Sequence, residues 1–126
     1  MTKLSDLVAI PTVKTIHFTD FSGKPVSIPA AMTFDSINAI ETAYGKSYTT
    51  FEKDLNGLLK RKQFKRDDKS MKLIWSLVYG LFIGGGVDCT YTEMNQAIPF
   101  TELPTVLEQS LEIINTQGFQ EDDLKK

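Results

Sequence analysis

The stretch LIWSLVYGLFIGGG, residues 73–86, is the most apolar segment of the chain, and it ends in three glycines. The uncharged run between Lys72 and Asp88 is 15 residues long, which is shorter than the about 20 residues that a membrane-spanning helix requires. Apolar residues cover nearly all sides of this segment, as is typical of a helix at the centre of a fold. The sequence therefore predicts a buried central helix and no membrane span.

The three glycines at the end of this segment have the small size that phosphate-binding loops require. Such loops also need a Lys-Ser/Thr pair after the glycines, whereas here Val87, Asp88 and Cys89 follow. We therefore expect a tightly turning helix exit in place of a phosphate site. Because glycine tolerates many backbone conformations, this exit is a possible hinge. The candidate hinge residues are Gly84, Gly85 and Gly86.

Length and composition indicate a single domain over residues 1–126. The chain has 41% hydrophobic and 24% charged residues and a net charge of -2, which is ordinary for a globular protein. Its single cysteine, Cys89, rules out a disulfide within one chain and fits a reducing compartment. The first residues lack the pattern of a secretory leader, so we expect the protein to stay in the cytoplasm.

Hydropathy patterning predicts a mainly α fold of the α+β type. Alternating polar and apolar residues in KTIHF (residues 14–18) and VSI (residues 26–28) flank a turn-rich loop, so residues 14–29 are predicted to form a β-hairpin. Helical periodicity then covers residues 33–118, and residues 119–126 are predicted to fray. The expected architecture is a small N-terminal hairpin followed by a compact bundle of four to five helices around one apolar helix.

Capping residues mark where the individual helices begin and end. The predicted caps and stops are Thr33 or Asp35 and Gly45 for the first helix, Thr49 with Glu52 for the second, Thr90 with Glu93 for the fourth, and Gly118 for the last.

Helical spacing also predicts which face of each helix is buried. The predicted buried sets are Phe34, Ile37, Ala39 and Ile40 in the first helix, Phe51, Leu55, Leu58 and Leu59 in the second, and Leu103, Val106, Leu107, Ser110, Leu111 and Ile114 in the last.

Histidine and cysteine, the residue types that zinc sites use most, are scarce in this chain. The chain has one histidine, His17, and one cysteine, whereas a zinc site needs three or four such ligands at set spacings. His17 is expected on the outer face of the hairpin. The carboxylate runs at 67–68 and 121–123 are typical of a helix start and a solvated tail. We therefore predict no enzyme activity, no metal and no cofactor.

A basic segment, KRKQFKR at residues 60–66, carries five positive charges in seven residues. Basic residues next to an aromatic ring can bind nucleic acid, which would make the protein a small nucleic-acid-binding regulator. Cations also favour helix C-termini, and the two following aspartates weaken the local potential, so the structural interpretation is preferred. The residues of this alternative nucleic-acid patch are Lys60, Arg61, Lys62, Phe64, Lys65 and Arg66.

One stripe of the apolar helix is a candidate partner-binding surface. Trp75, Tyr79, Phe82 and Ile83 follow helical spacing and share one side. They either complete the core or contact a partner, since a chain of this size has few elements with which to surround a helix. Gly80 lies inside the same helix, where glycine costs about 1 kcal/mol relative to alanine, so we expect another helix to cross closely there.

The order of these features resembles the tail assembly chaperones of long-tailed bacteriophages, in particular those of lactococcal phages. In that family an apolar helix containing tryptophan and a Gly-Leu pair precedes a Thr-x-Glu-type helix start and a final amphipathic helix. The resemblance covers roughly residues 14–117, and the triple glycine departs from the family pattern. The matching positions are Trp75, Leu77, Gly80 and Leu81, followed by Thr90, Thr92 and Glu93.

The resemblance implies a non-enzymatic role. Proteins of this family coat the long, hydrophobic tape measure protein and keep it soluble until the tail tube assembles around it. They act in the cytoplasm of the host bacterium, tend to self-associate and are absent from the mature virion. A tape measure protein and further copies of the chain are therefore the expected partners.

Overall fold

The computed structural model describes residues 13–60 and 68–117. It is mainly helical with a two-stranded antiparallel sheet at its N-terminal side, as the sequence predicts. The elements are β1 (Lys14–Thr19), β2 (Pro25–Ala30), α1 (Phe34–Tyr44), α2 (Tyr48–Lys60), α3 (Asp68–Gly84), α4 (Tyr91–Ala97), a 3-10 turn (Phe100–Glu102) and α5 (Leu103–Gln117).

The hairpin buries one face and exposes the other. Ile16 lies opposite Ile28 and Phe18 lies opposite Val26 in the antiparallel register, and Ile16 and Phe18 are both buried. The intervening loop is closed by Asp20, whose carboxylate accepts hydrogen bonds from the backbone N–H groups of Ser22 and Lys24. The antiparallel register and the buried side chains on alternate positions of β1 confirm the predicted hairpin.

Helix α3 occupies the centre of the core, which confirms the prediction from the opening stretch. Helices α1, α2, α4 and α5 and strand β2 all pack against it. Its buried apolar side chains are Leu73, Ile74, Leu77, Val78, Leu81 and Phe82. None of the helices in residues 13–60 and 68–117 combines the length and apolar character needed to cross a membrane.

Gly80 is the point where α1 crosses α3. A Cβ atom at this position would lie 2.9 Å from the backbone oxygen of Ser36 and would collide with the side chain of Ile40. The predicted close helix crossing is therefore present, and α1 is the crossing helix.

Three predicted helix boundaries are confirmed by their capping geometry. Thr33 caps α1 through a reciprocal capping box with Ser36, and Gly45 ends the helix in the left-handed conformation, with φ of 79°. Thr90 and Glu93 form the predicted capping box of α4. Gly118 lies outside the described residues.

The predicted start of α2 at Thr49 is wrong. The helix begins at Tyr48, and the hydroxyl of Ser47 accepts a hydrogen bond from the backbone N–H of Thr50 at 3.3 Å. The carboxylate of Glu41 also accepts a bond from the N–H of Tyr48. Two preceding acceptors therefore satisfy N–H groups at the start of α2, and the helix begins before Thr49.

Two residues predicted on buried faces are exposed. Phe34 is 73% exposed and Leu59 is 39% exposed. Helix α1 turns Ile40 inwards as predicted, together with Ser36 and Tyr44. Ser36 tolerates burial because its hydroxyl donates a 2.8 Å hydrogen bond to the carbonyl of Ala31. The buried serine shifts the inward face of α1 away from Phe34.

Candidate partner-binding surface

The predicted stripe on α3 is divided between core and surface. Trp75, Tyr79 and Ile83 are half-buried, whereas Phe82 is 4% exposed. Phe82 lies next to Val78 on the helix, one turn away, and both side chains belong to the core. The prediction that Phe82 contacts a partner therefore does not fit this structure, while the other three residues remain accessible.

Helix α4 adds an aromatic residue to this stripe that the sequence reasoning missed. The rings of Tyr79 and Tyr91 meet edge to face, with centroids 5.7 Å apart and an interplanar angle of 90°. Tyr91 follows the capping residue Thr90 directly, so the capping box holds it in the first turn of α4. We call Trp75, Tyr79, Ile83 and Tyr91 the aromatic surface.

Tyr91, which belongs to this surface, and Cys89, two residues before it, are partly withdrawn from water. Burial raises the pKa of Tyr91, and the nearby Asn95 and Ser76 side chains oppose that shift. Burial also raises the pKa of the Cys89 thiol, and the carboxylates of Glu93 and Asp88 raise it further. A raised thiol pKa disfavours the reactive thiolate, so Cys89 is poorly suited to act as a nucleophile.

The three glycines after α3 have different surroundings. A Cβ atom on Gly84 would collide with the carbonyl oxygen of Ala31, and one on Gly85 would lie 2.6 Å from the backbone nitrogen of Ala30. Both glycines therefore let α3 pack against the end of β2. Gly86 has φ of 91° and no described atom close to its missing side chain. Of the predicted hinge residues Gly84, Gly85 and Gly86, the first two are therefore closely packed, and a hinge at Gly86 stays a prediction.

Charged residues lie near the aromatic surface in α3, in the loop that follows it and in α4. Lys72 precedes Trp75 on the same side of α3, and its ammonium lies 5.9 Å from the centre of the Tyr44 ring. Asp88 and Glu93 are exposed near Cys89. The carboxylate of Glu93 accepts a 3.1 Å hydrogen bond from the N–H of Thr90.

The alternative nucleic-acid patch lies mostly outside the described residues. Lys60 is exposed at the end of α2, whereas Arg61, Lys62, Phe64, Lys65 and Arg66 fall in the undescribed range 61–67. The lysine that follows this range in α3, Lys69, lies 3.8 Å from the carboxylate of Asp54. The nucleic-acid interpretation stays a prediction from the sequence.

Away from the aromatic surface, the structure describes one histidine and a groove with polar lining residues. His17 is exposed on the hairpin, where its Nδ1 lies 2.9 Å from the Ser27 hydroxyl. A groove of about 450 Å³ between β1 and α5 is lined by mixed polar and apolar residues, among them Gln109 and Glu112. Within the described part of the chain, no group of three or more histidine, cysteine, aspartate or glutamate side chains could hold a metal ion.

No family model, curated protein or solved structure matches this chain. The resemblance to tail assembly chaperones therefore rests on the sequence motifs at Trp75–Leu81 and Thr90–Glu93. In the structure these motifs lie on α3 and at the start of α4, which are the two helices that form the aromatic surface.

Proposed function

We propose that the protein is a non-enzymatic phage tail assembly chaperone that binds apolar helical segments of a tape measure protein. The observation that carries this proposal is the aromatic surface, where α3, the central apolar helix, leaves Trp75, Tyr79 and Ile83 only partly buried beside Tyr91. The chaperone keeps the tape measure protein soluble in the host cytoplasm until the tail tube assembles, and it is absent from the mature virion.

The aromatic surface has the composition that such docking requires. Tryptophan and tyrosine contribute strongly to protein interfaces because they combine large apolar area with a polar tip. An amphipathic helix can place its apolar side against such a surface. Each large side chain buried there contributes roughly 1.5–3 kcal/mol before the costs of ordering. Two or three such contacts per copy give weak binding of the partner helix by a single copy.

Weak binding by one copy is sufficient if many copies act on one chain. A tape measure protein is a long helical chain with repeated apolar stripes, so it offers successive sites to successive copies. Copies that also contact each other hold the partner more tightly than any single copy does, because later contacts form at high effective concentration. Self-association is accordingly part of the proposal.

Co-expression with the tape measure protein from the same genome tests this function. We expect the soluble fraction of the tape measure protein to rise with the wild-type chain and to fall back with Trp75→Gln or Tyr79→Gln. Phe21→Ser is the matched control, because Phe21 is 73% exposed in the hairpin loop and lies outside the aromatic surface. Circular dichroism melts establish that each variant is folded. No gain in solubility with the wild-type chain would refute the proposal.

Nucleic-acid binding is the second candidate, favoured by the basic segment at 60–66 and the exposed Lys60. The two functions differ in their response to salt, since binding to phosphates weakens steeply as salt rises whereas apolar docking persists. A gel-shift assay at low salt with single- and double-stranded DNA and RNA tests this candidate. The absence of any shift removes it.

A further inference from the structure

The two outer edges of the hairpin carry different backbone groups. In residues 13–60 and 68–117 the sheet consists of β1 and β2, so each strand has one edge that no other strand pairs with. In an antiparallel ladder, successive residues direct their N–H and carbonyl groups to opposite edges. Gln109 bonds both groups of His17, and Glu102 bonds the N–H of Thr19, from outside the sheet. Thr15, two residues before His17, therefore also directs its backbone groups outwards.

The outer edge of β2 is closed to a further strand. The residues that lie opposite Thr19, His17 and Thr15 in the ladder are Pro25, Ser27 and Pro29. Because proline has no N–H to donate, only Ser27 directs an N–H outwards within Pro25–Ala30. The end of α3 at Gly85 also packs against the carbonyl of Pro29. An added strand would therefore find one donor and an obstructed acceptor along this edge.

The outer edge of β1 is open at Thr15. Side chains from the C-terminal part of the chain cover its two neighbours on this edge, since Gln109 bonds His17 and Glu102 bonds Thr19. In residues 13–60 and 68–117 no side chain bonds the N–H or the carbonyl of Thr15 in the same way. Thr15 is exposed, so one donor and one acceptor of β1 face outwards without a protein partner.

Thr15 lies in the groove between β1 and α5. The groove has a volume of about 450 Å³, which is many times the roughly 30 Å³ that one water occupies in the liquid. Its lining includes the apolar residues Val13 and Ile113 and the polar residues Gln109 and Glu112. The unpaired backbone groups of Thr15 therefore border a space that a short polypeptide segment can enter.

The Gln109 side chain shows which chemistry fits this edge. Its carboxamide places one acceptor and one donor side by side, each 2.8 Å from its partner atom on His17. An extended polypeptide offers the same pair, because every second residue directs its N–H and carbonyl to one side. Ile113 follows Gln109 by one helical turn, so α5 runs beside β1 from the Gln109 contact to the groove at Thr15.

We propose that Thr15 is the docking site for a short extended segment of a partner polypeptide, which pairs with β1 as a third strand. The Thr15 N–H donates to a carbonyl of the segment, and the Thr15 carbonyl accepts from one of its N–H groups. Main-chain bonds of this kind provide the affinity when a peptide adds to a sheet edge. Gln109 already occupies the position beside His17, so the segment ends there. The site is separate from the aromatic surface, and this inference does not depend on the proposed function.

A titration of the full-length chain with two capped peptides tests the proposal. The first peptide is Thr-Val-Thr-Val-Thr, whose β-branched residues favour an extended conformation. The second has the same sequence with a methyl group on every backbone nitrogen, so it has no N–H to donate. We expect the first peptide to shift the amide signal of Thr15 in NMR spectra and to bind about 2- to 10-fold more tightly than the second, as one net hydrogen bond contributes.

Substitutions at Thr15 separate its backbone from its side chain. Thr15→Pro removes the outward N–H and leaves the ladder intact, since Pro29 already occupies the position directly opposite. Thr15→Val is the matched control, because it keeps the N–H and a side chain of similar shape. We expect Thr15→Pro to bind the first peptide about 2- to 10-fold more weakly and Thr15→Val to bind it as wild type does. Circular dichroism melts establish that both variants are folded.

Three results overturn the inference. They are no binding of the first peptide to wild type, equal binding of both peptides to wild type, and equal binding of the first peptide to folded Thr15→Pro and Thr15→Val. The comparison of the two peptides decides the matter even where Thr15→Pro does not fold. A dimer of the wild-type chain in sedimentation that Thr15→Val keeps and Thr15→Pro loses assigns the edge to a second copy and overturns the assignment to a partner segment. Each of these results leaves the proposed role of the aromatic surface standing.

Discussion

The side-chain amide of Gln109 forms two hydrogen bonds with the backbone of His17. Its Oε1 accepts a bond from the His17 N–H at 2.8 Å, and its Nε2 donates a bond to the His17 carbonyl at 2.8 Å. Glu102 accepts a further bond from the N–H of Thr19 at 2.6 Å. These side chains take the positions that a third strand would occupy, and they cover part of the open edge of β1, where an unpaired strand otherwise invites aggregation.

We call the two hydrogen bonds between the Gln109 amide and the His17 backbone the Gln109 bridge, and its removal should lower the free energy of unfolding. Gln109→Leu leaves the N–H and carbonyl of His17 without their hydrogen-bond partner. We therefore expect the free energy of unfolding, measured by chemical denaturation, to fall by about 1–3 kcal/mol. Glu108→Leu is the control, since Glu108 is the exposed neighbour of Gln109 on α5. Gln109→Glu keeps the acceptor for the His17 N–H but loses the donor, so its stability should fall between wild type and Gln109→Leu. Equal stability of Gln109→Leu and Glu108→Leu would contradict a role for the bridge.

Alanine substitutions at two glycines should have opposite effects. Gly84→Ala brings a methyl group against the carbonyl of Ala31 and the hydroxyl of Ser36, so we expect a loss of about 3 kcal/mol, the upper end for overpacking. Gly57→Ala adds a methyl group in open space within α2 and should stabilise the protein by about 1 kcal/mol. Thermal melts of the two variants measure both changes. A freely moving hinge at Gly84 predicts little loss, which would contradict the packing role.

The capping box of α4 should support partner binding as well as stability. The Thr90 hydroxyl accepts a 3.1 Å hydrogen bond from the Glu93 N–H. Thr90→Ala removes this bond, which typically costs about 1 kcal/mol, and should increase hydrogen exchange in α4. Because Tyr91 lies in the first turn of α4, binding of apolar helical peptides should also weaken. Thr92→Ala, at an exposed position outside the box, should change neither measurement.

Alkaline pH should destabilise the protein through Tyr48. Burial raises the pKa of Tyr48, and the charge of Glu52 raises it further. The unfolded chain ionises near pH 10, so stability is retained below about pH 10 and falls as the pH rises above it, where the unfolded state loses the proton more readily. Tyr48→Phe should therefore lose less stability than wild type between pH 9 and pH 11, a range that extends about 1 unit to either side of the pKa of the unfolded tyrosine. Denaturation curves of both proteins across this range measure the difference.

The same variant should be well tolerated at neutral pH. The Tyr48 hydroxyl is buried and has no hydrogen-bond partner among the described residues, so removal of its oxygen costs no bond. Denaturation curves of wild type and Tyr48→Phe at pH 7 should nearly coincide. A large loss of stability at pH 7, or parallel curves at alkaline pH, would show that another group governs the alkaline transition.

The sequence by itself determined the features that depend on neighbours along the chain. A capping box joins Thr90 to a residue three positions away, and Gly45 ends α1 through its own backbone conformation. The alternation around Ile16 and the all-round apolar character of α3 likewise follow from local periodicity. These interactions need no knowledge of the rest of the fold, and the sequence therefore predicted the hairpin, the helices and the central position of α3.

Only the tertiary structure decided the contacts between distant residues. The bridge from Gln109 to His17 joins residues 92 positions apart, and the packing of Gly84 on Ala31 depends on where β2 ends. The burial of Ser36 in place of Phe34 requires the carbonyl of Ala31 as a partner. Tyr91 joins Tyr79 because α4 folds back on α3. Helical spacing places residues on a side of a helix, but which sides remain exposed depends on the elements that pack against them.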